Sequence, residues 1–383
     1  MSPSTARKNN LAAAPTQTPA GLGYRMPAEW EPHAATWLAW PHYHGDWPGK
    51  FEPIPWVYAE IIRSLAKHER VELIVNNAAA AKKVRKILKR ADALSENVRF
   101  HHWPTNRVWL RDSGCIFLRR EEQGSAQSDG RGRLSTQQTG DHQALAIKFR
   151  FNAWAKYSNW KHDEKIGFLM AKAARVEAVR AQSLEKPMVL EGGSIDVNGA
   201  GTILTTEECL LSKEQERNPH MARVHYEKAF ADYLGAPNTI WLGRGILGDD
   251  THGHVDDLTR FVRKDTVITM VEPNSKDVNH ESLRANLRRL QSARDQDGKQ
   301  LTIVELPMPQ PVVFEGRGLP ASYANFYVAN RVVLVPVFNR PNDRIALNTL
   351  AEVFPAREIV PIYSGDFIWG FGAMHCMTQQ QPA

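Results

Sequence analysis

The stretch VELIVNNAAAAKKVRKILKRADALSENVRFHHW, residues 71–103, determines the fold class of this chain. Residues 71–75 form a short apolar run typical of a strand, and residues 98–103 predict a second strand. Between them, from Ala78 to Ala91, the pattern is helical, with Lys and Arg among Ala, Val, Ile and Leu. Strand, helix and strand in succession predict a mixed α/β fold. The basic helix face has no aromatic or Gly-rich partner, so we expect a solvated surface and no nucleic-acid binding.

Similar units continue along the chain. Further helices are predicted over residues 56–66, 281–294 and 345–353. Another helix is predicted to end at Leu234, because Gly235 is a typical C-terminal stop. Further strands are predicted over residues 301–306 and 359–363, with a hairpin of residues 326–329 and 332–335 around Asn330-Arg331. Ser212, followed by Glu214 and Glu216, predicts the opening of a broken helical region. The units recur at about 60–80 residues, the spacing of a repeat fold, although no self-similarity of sequence accompanies them.

Composition excludes several classes of protein. Of the 383 residues 42% are hydrophobic, which is enough for a sizeable core. No run of about eighteen uncharged apolar residues occurs, so we predict no membrane span. The net charge of +6 is spread thinly over 48 basic and 42 acidic residues. Three cysteines without a Cys-x-x-Cys pair argue against disulfides, which favours a reducing compartment such as the cytoplasm.

Two stretches fall outside the predicted units. Residues 1–23 are rich in Ala, Pro, Thr and Ser without a continuous apolar core, and predict a flexible tail. Residues 120–142 are polar and aperiodic, which predicts a surface loop or hairpin insertion that does not divide the chain. We therefore expect one domain over residues 24–383.

Four segments concentrate chemically active groups. They are Trp109-Leu-Arg-Asp-Ser-Gly114, Leu190-Glu-Gly-Gly-Ser194, Gly248-Asp-Asp-Thr-His-Gly-His-Val-Asp-Asp257 and Gly370-Phe-Gly-Ala-Met-His-Cys-Met-Thr-Gln379. Carboxylates match the planar fork of a guanidinium. A thiolate attacks its electron-poor carbon, and a histidine transfers protons to the leaving group and from water. The segments thus contain the groups that guanidine hydrolysis requires, but their spacing does not show that they converge.

Each group also has a structural interpretation. Asp112 is suited to capping a turn, Glu191 to ending a strand and Cys376 to packing. Cys115 and Cys209 are expected to pack in the core. A rival function comes from His252-Gly-His-Val-Asp256, which is similar to the His-x-His-x-Asp-His run of metallo-β-lactamase-type zinc hydrolases, although Asp257 replaces the closing His.

Taken in order, the motifs resemble those of agmatine deiminases, in the peptidylarginine-deiminase-like branch of guanidine-modifying enzymes. The resemblance runs from Met26 almost to the last residue. Besides the four segments it includes 26–33, 36–41, 151–154, 204–211, 322–327 and the terminal residues 375–383. It implies a single-domain fold, a five-bladed pseudo-symmetric α/β propeller with the site in a central channel.

The resemblance also implies roles for individual residues. Cys376 is similar to the nucleophile, His254 to the general acid and base, and Asp112 and Asp256 to the carboxylates that hold the guanidinium. Glu191 is similar to the acid that orients the histidine and contacts the substrate. Trp109 resembles the aromatic residue that packs on the ligand.

The implied reaction converts agmatine into N-carbamoylputrescine and ammonia through a covalent amidino-cysteine intermediate. No metal and no organic cofactor takes part, and the expected partner is a small guanidine. Arginine and peptidyl-arginine stay open as other substrates, and a homodimer stays open as the assembly.

The chain departs from the family where Asn106 replaces a common acid, where Cys115 replaces Pro, and in the less Gly-rich stretch 371–374. Loss of the acid at Asn106 bears on how the far end of the substrate is bound.

Overall fold

A computed structural model describes residues 18–120 and 143–383. Residues 121–142 of the predicted insertion 120–142 and the first 17 residues of the predicted tail lie outside this range, whereas Arg120 ends a strand. Residues 18–23, the rest of the predicted tail, contain a 3-10 turn at Ala20–Leu22. Within the described range, no helix has both the length and the apolar character needed to cross a membrane.

The helices confirm the predicted helical patterns. They are α1 (Ile54–Ala66), α2 (Ala78–Arg90), α3 (Leu110–Ser113), α4 (Asp163–Ala174), α5 (Glu207–Leu211), α6 (Arg223–Leu234), α7 (His280–Ser292), α8 (Asp343–Val353) and α9 (Met374–Met377). Asn77 caps α2 by accepting a hydrogen bond from the Ala80 amide, and Gly235 ends α6 with a φ of 66°. The broken helix predicted from Ser212 is wrong: Ser212 ends α5, and the next helix begins at Arg223.

The strands are mostly short. They are β1 (Tyr24–Arg25), β2 (His33–Ala39), β3 (Arg70–Val75), β4 (Val98–His102), β5 (Ile116–Arg120), β6 (Ala144–Lys148), β7 (Glu177–Arg180), β8 (Gln182–Ser183), β9 (Lys186–Pro187), β10 (Asp196–Val197), β11 (Thr202–Thr206), β12 (Asn238–Leu242), β13 (Thr259–Arg263), β14 (Thr266–Val271), β15 (Thr302–Pro307), β16 (Val313–Phe314), β17 (Arg317–Gly318), β18 (Tyr327–Val328), β19 (Val332–Val337), β20 (Glu358–Tyr363) and β21 (Gln379–Pro382). The predicted hairpin is present as the antiparallel pair β18–β19.

A common topology recurs in five of the sheets. In each, a first strand pairs antiparallel with a second, and the second pairs in parallel with a third that follows a helical segment. These sheets contain β5-β6-β7, β10-β11-β12, β13-β14-β15, β18-β19-β20 and β21-β2-β3. The third strand lies parallel because the helix between the two strands carries the chain back to the starting edge. This is the repeat that the element spacing indicated.

The helices cover the sheets and close the core. Ile54, Tyr58, Ile61, Ile62 and Leu65 form the buried face of α1, which packs against β3 and β20. Burying one such side chain contributes about 1.5–3 kcal/mol. By contrast, the Lys and Arg side chains of α2 are exposed, as predicted. The first and last parts of the chain meet because β21 pairs with β2, with Trp37 opposite Gln379.

A short helical turn precedes the first strand of each repeated sheet. The turns are α3, the 3-10 turns Gly192–Ser194, Val255–Asp257 and Tyr323–Asn325, and α9. Each contacts the next in this order, and α9 also contacts α3. We call this closed series the turn ring. It positions the site.

Candidate active site

The turn ring brings four distant segments together. Asp112 lies on α3, Glu191 directly precedes the second turn, Asp256 lies on the third turn with His254 before it, and Cys376 lies on α9. Their side chains are buried. The structure therefore unites the five residues that sequence analysis singled out for chemistry, each on or directly before a turn of the ring.

Gly193 permits the close approach of three of these side chains. A Cβ at this position would lie 2.5 Å from His254 Nδ1 and 3.0 Å from both Asp112 Oδ1 and Asp256 Oδ2. The Gly193 amide donates a 2.9 Å hydrogen bond to Asp112 Oδ1. Only glycine leaves room for both the backbone donor and the imidazole.

His254 is held by the loop before it. Asp249 Oδ2 accepts hydrogen bonds from the amides of Gly253 (2.7 Å) and His254 (3.0 Å), and Thr206 Oγ1 donates to the Gly253 carbonyl at 2.6 Å. His252 and Gly253 have φ values of 66° and 91°. The loop thus turns sharply and separates the two histidines of the His-x-His pattern.

Three carboxylates surround the His254 ring. Nδ1 lies 4.0 Å from Asp112 Oδ2 and 3.9 Å from Asp256 Oδ1, and Nε2 lies 4.0 Å from Glu191 Oε2. Burial lowers the pKa of His254, but Asp112, Cys209 and Asp256 together have a larger, opposite effect. The pKa therefore lies well above its usual value. His254 is therefore a positively charged proton donor at neutral pH.

Several of these buried atoms lack hydrogen-bond partners. Among the described residues, neither nitrogen of His254 has one, nor has Glu191 Oε2 or Asp256 Oδ1. Because buried polar atoms are normally paired, the two unpaired carboxylate oxygens, Glu191 Oε2 and Asp256 Oδ1, indicate a site for a ligand with several donors. A guanidinium, with five N–H groups in one plane, has the donors that match them.

Cys376 lies beside the Asp256 end of this cluster. Its Sγ is 3.5 Å from Asp256 Oδ2, and Asn325 Nδ2 donates to it at 3.1 Å. Burial, then Asp256, Asp257 and Asp112, raise the pKa of the thiol well above its usual value. A bound cation would offset the three carboxylates and so promote the thiolate.

A buried network behind the cluster fixes Asp256. The two nitrogens of His375 lie 2.7 Å from Asp256 Oδ2 and 2.9 Å from Glu29 Oε2. Arg111 and Arg260 pair with Glu29 at 3.1 and 3.0 Å. Burial raises the pKa of Asp256, but His375 and then His254 outweigh it, so the pKa lies below its usual value. The ionised form of Asp256 is therefore favoured.

Asp112 differs from Asp256 in the direction of its pKa shift. Trp154 Nε1 donates to its Oδ2 at 2.8 Å. Burial raises the pKa of Asp112 to about 6. The charge of His254 opposes this shift, and the neighbouring Asp256 and Glu191 add to it. Trp154 has a φ of 59°, and its neighbours Ala153 and Ala155 have φ values of 52° and 54°. Such strained turns are tolerated where a side chain must be aimed at a site.

One cavity connects this cluster to the surface. It encloses ≈ 510 Å³, including space open to solvent. Asp112 and Cys376 lie in its lining with Trp109, and Gly372 permits the indole to approach Cys376. The rest of the lining contains Gly45, Asp46, Arg107, Trp154, Tyr157, Asp250, Thr251, Gly370, Phe371 and Gly372. A lining that combines aromatic side chains with three acids, Asp46, Asp112 and Asp250, suits a cation with an aliphatic chain.

Asp46 and Arg107, which also line the cavity, form an ion pair. Burial, opposed by Arg107 and assisted by Asp250, raises the pKa of Asp46 to about 7. Asn106 is absent from the cavity lining and instead accepts a 2.8 Å hydrogen bond from the His162 amide. Besides Asp112, the acids of the cavity lining are Asp46 and Asp250.

Metal binding has one candidate set among the described residues. Glu191, Cys209 and His254 place ligand atoms within 4.8 Å of one another. Arg217 donates to Glu191 Oε1 at 3.1 Å, and its permanent charge opposes a cation there. The His-x-His-x-Asp set of the zinc interpretation does not assemble: His252 Nε2 contacts Ser212 Oγ at 3.1 Å, apart from His254.

Sequence reasoning missed four contributors. Asn325, Trp154, His375 and Arg217 contact the predicted residues directly. The first three lie inside motifs that carried the resemblance, so their motifs were the available signal. Cys209 is buried in the core as expected, but it also lies beside His254.

Comparisons with known proteins agree with the fold. An agmatine deiminase of Pseudomonas aeruginosa is 33% identical over 392 residues, which cover 96% of this chain and 98% of the relative. The solved agmatine deiminase of Enterococcus faecalis has a TM-score of 0.83 at 27% identity, covering 96% of this chain and 98% of that one. That of C. jejuni has a TM-score of 0.76 at 27% identity, covering 94% and 96%.

The fold is accordingly a mixed α/β fold similar to these enzymes. The model of the Porphyromonas-type peptidyl-arginine deiminase family matches residues 25–382, nearly the whole chain. This chain belongs to the Porphyromonas-type peptidyl-arginine deiminase family.

Proposed function

We propose that this protein is a hydrolase that converts agmatine into N-carbamoylputrescine and ammonia. The observation that carries the proposal is the buried cluster in which Asp112, Glu191 and Asp256 surround His254, with Cys376 beside Asp256. Unpaired acceptors in that cluster match a planar cationic donor. The full-length similarity to agmatine deiminases supports the same reaction.

Binding of the guanidinium prepares the nucleophile. Asp112 and Asp256 hold the nitrogens of the cation, and Trp109 packs against its aliphatic arm. The added positive charge lowers the pKa of Cys376, whose proton leaves to solvent. The fixed carboxylates also hold the electron-poor carbon above the sulfur, which removes the entropic cost of that alignment from the reaction step.

Addition and elimination then follow in two halves. The Cys376 thiolate adds to the guanidinium carbon, and one nitrogen leaves as ammonia with a proton from His254. The amidino group stays on sulfur as a cationic thiouronium. Neutral His254 takes a proton from water, the hydroxide adds to the same carbon, and the C–S bond breaks. The added hydroxyl group loses its proton to solvent as the C–S bond breaks, so the products are the neutral ureido compound and a regenerated thiolate.

The distal ammonium of agmatine suits the two further acids of the cavity lining. These are Asp46 and Asp250, and Arg107 is already paired with Asp46. A carboxylate on the substrate would meet these acids, which disfavours arginine relative to agmatine.

The five related sheets and the turn ring support a further proposal, a five-bladed propeller over residues 24–383 around a central channel.

The test is a substrate panel of agmatine, arginine and a blocked arginine peptide, scored for ureido product and ammonia. We expect turnover of agmatine in preference to the others. Cys376→Ser is expected to lower kcat for agmatine at least about 10⁴-fold, as loss of a nucleophile does. Circular dichroism checks that this variant is folded. Preferred turnover of arginine would contradict the choice of substrate, and full activity of Cys376→Ser would contradict the mechanism.

A further inference from the structure

The fourth member of the turn ring, Tyr323–Asn325, has no role in the reaction as described so far. The other four turns each contribute or adjoin a side chain of the proposed chemistry. This one directs Asn325 at the nucleophile, with Nδ2 3.1 Å from Cys376 Sγ. Asn325 is buried, so this contact is shielded from solvent.

Four contacts fix the Asn325 amide. Its Oδ1 accepts hydrogen bonds from the backbone amides of His375 (3.0 Å) and Cys376 (3.3 Å). Its Nδ2 donates to Asp257 Oδ1 at 2.9 Å as well as to the sulfur. Since the two backbone groups are donors only, the oxygen must face them, which settles the orientation of the amide. Both amide hydrogens and both lone pairs are then in use.

The sulfur needs such a donor because its surroundings are acidic. Asp256 Oδ2 lies 3.5 Å from it, and Asp257 and Asp112 add two more carboxyl groups nearby. Burial and then Asp256 and Asp249 raise the pKa of Asp257 well above its usual value, which favours its protonated form. Asn325 therefore supplies a neutral donor that adds no charge to compete with the substrate cation.

We propose that Asn325 is a catalytic residue that stabilises the Cys376 thiolate by hydrogen bonding and aims it at the substrate, with Asp257 as the positioning residue for its amide. The inference rests on the proposed deiminase reaction. It extends that reaction by assigning a function to the remaining turn of the ring. Because Asn325 also binds the backbone amide of Cys376, the direction of the sulfur and its ionisation depend on one side chain.

The experiment measures the thiol directly. Wild-type protein and Asn325→Ala are alkylated with iodoacetamide across a pH series, and the Cys376 peptide is quantified by mass spectrometry. Asn330→Ala is the matched control, because Asn330 lies close by in sequence and bonds to the backbone of His33, away from the sulfur. We expect Asn325→Ala to move the alkylation midpoint of Cys376 to higher pH by about one unit and Asn330→Ala to leave it unchanged.

Agmatine kinetics provide the second readout. Loss of a hydrogen bond to a charged group predicts that Asn325→Ala lowers kcat about 10- to 100-fold with little change in KM. Asn325→Asp, which adds a carboxyl group beside the sulfur, should be at least as slow. An unchanged alkylation midpoint in Asn325→Ala, or a fall in kcat no larger than that of Asn330→Ala, overturns the proposal.

The two readouts also separate this inference from the proposed function. A shifted midpoint in a protein that does not hydrolyse agmatine supports the role of Asn325 and contradicts the function. Hydrolysis of agmatine with an unshifted midpoint supports the function and contradicts the role of Asn325. Thermal unfolding of each variant checks that the compared proteins are folded.

Discussion

At the scale of single residues, several acidic groups of the site repel one another, and a bound cation reduces this repulsion. Asp256 is held ionised by His375, whereas burial and neighbouring acids favour the protonated form of Asp112. The same acids keep Cys376 as a thiol. A guanidinium offsets these repulsions together, so substrate binding and activation of the nucleophile are one electrostatic event.

This coupling predicts the acid side of the pH profile. The pKa of Asp112 is raised to about 6, so the carboxyl group is charged above that pH and gains a proton below it. The attraction for the guanidinium is therefore lost as pH falls through about 6, and kcat/KM should fall with it. The measurement is kcat/KM from about pH 5 to 9.

The substrate for that profile is n-butylguanidine. It lacks the distal ammonium that we place near Asp46. The titration of Asp46, whose pKa is raised to about 7, therefore does not affect kcat/KM through a contact with that ammonium. Because Asp112 is coupled to Asp256 and Glu191, the midpoint describes the cluster. A profile that stays flat down to about pH 5 would be incompatible with this role of Asp112.

At the scale of elements, the chemistry sits on turns of three or four residues and not on the long helices. Such turns can bring side chains together only where the backbone passes closely, as at Gly193. The long elements were predictable because their apolar periodicity extends over several turns or strand residues, as in α1 and β3. The short turns have no such period, and only the motifs indicated them.

Gly193→Ala tests this dependence on backbone space. The added methyl would lie 2.5 Å from His254 Nδ1, so the imidazole must move. Displacement of a reacting group by about 1 Å can cost about 100-fold, which is the loss of kcat/KM we expect. Gly318→Ala is the control, because its Cβ would meet only Leu247 Cδ2 at 3.5 Å, an ordinary contact. Equal activity of the two variants would contradict the crowded geometry.

At the scale of the whole molecule, pairing of the chain ends completes the site. Strand β21 pairs with β2, and α9, just before β21, contacts α3. Cys376 thereby reaches the cluster that contains Asp112, although 263 residues lie between them. Sequence spacing did not reveal this convergence, because it depends on pairings between distant strands. The resemblance supplied the grouping that the residues alone left open.

The repeat was also only partly visible in the sequence. The recurrence of strand and helix patterns indicated it, but the five sheets share topology and not side chains. Each turn of the ring carries a different group: Asp112, Glu191, Asp256, Asn325 and Cys376. Divergence of function within the repeat therefore removed the self-similarity that would have identified it.

The central claim is covalent attack by Cys376, and mass spectrometry of acid-quenched single-turnover reactions tests it most directly. The account predicts a transient adduct on the Cys376 peptide with the mass of agmatine minus ammonia, which decays as N-carbamoylputrescine appears. Formation of that product with no adduct at any quench time, or with the adduct on Cys209 instead, would contradict it.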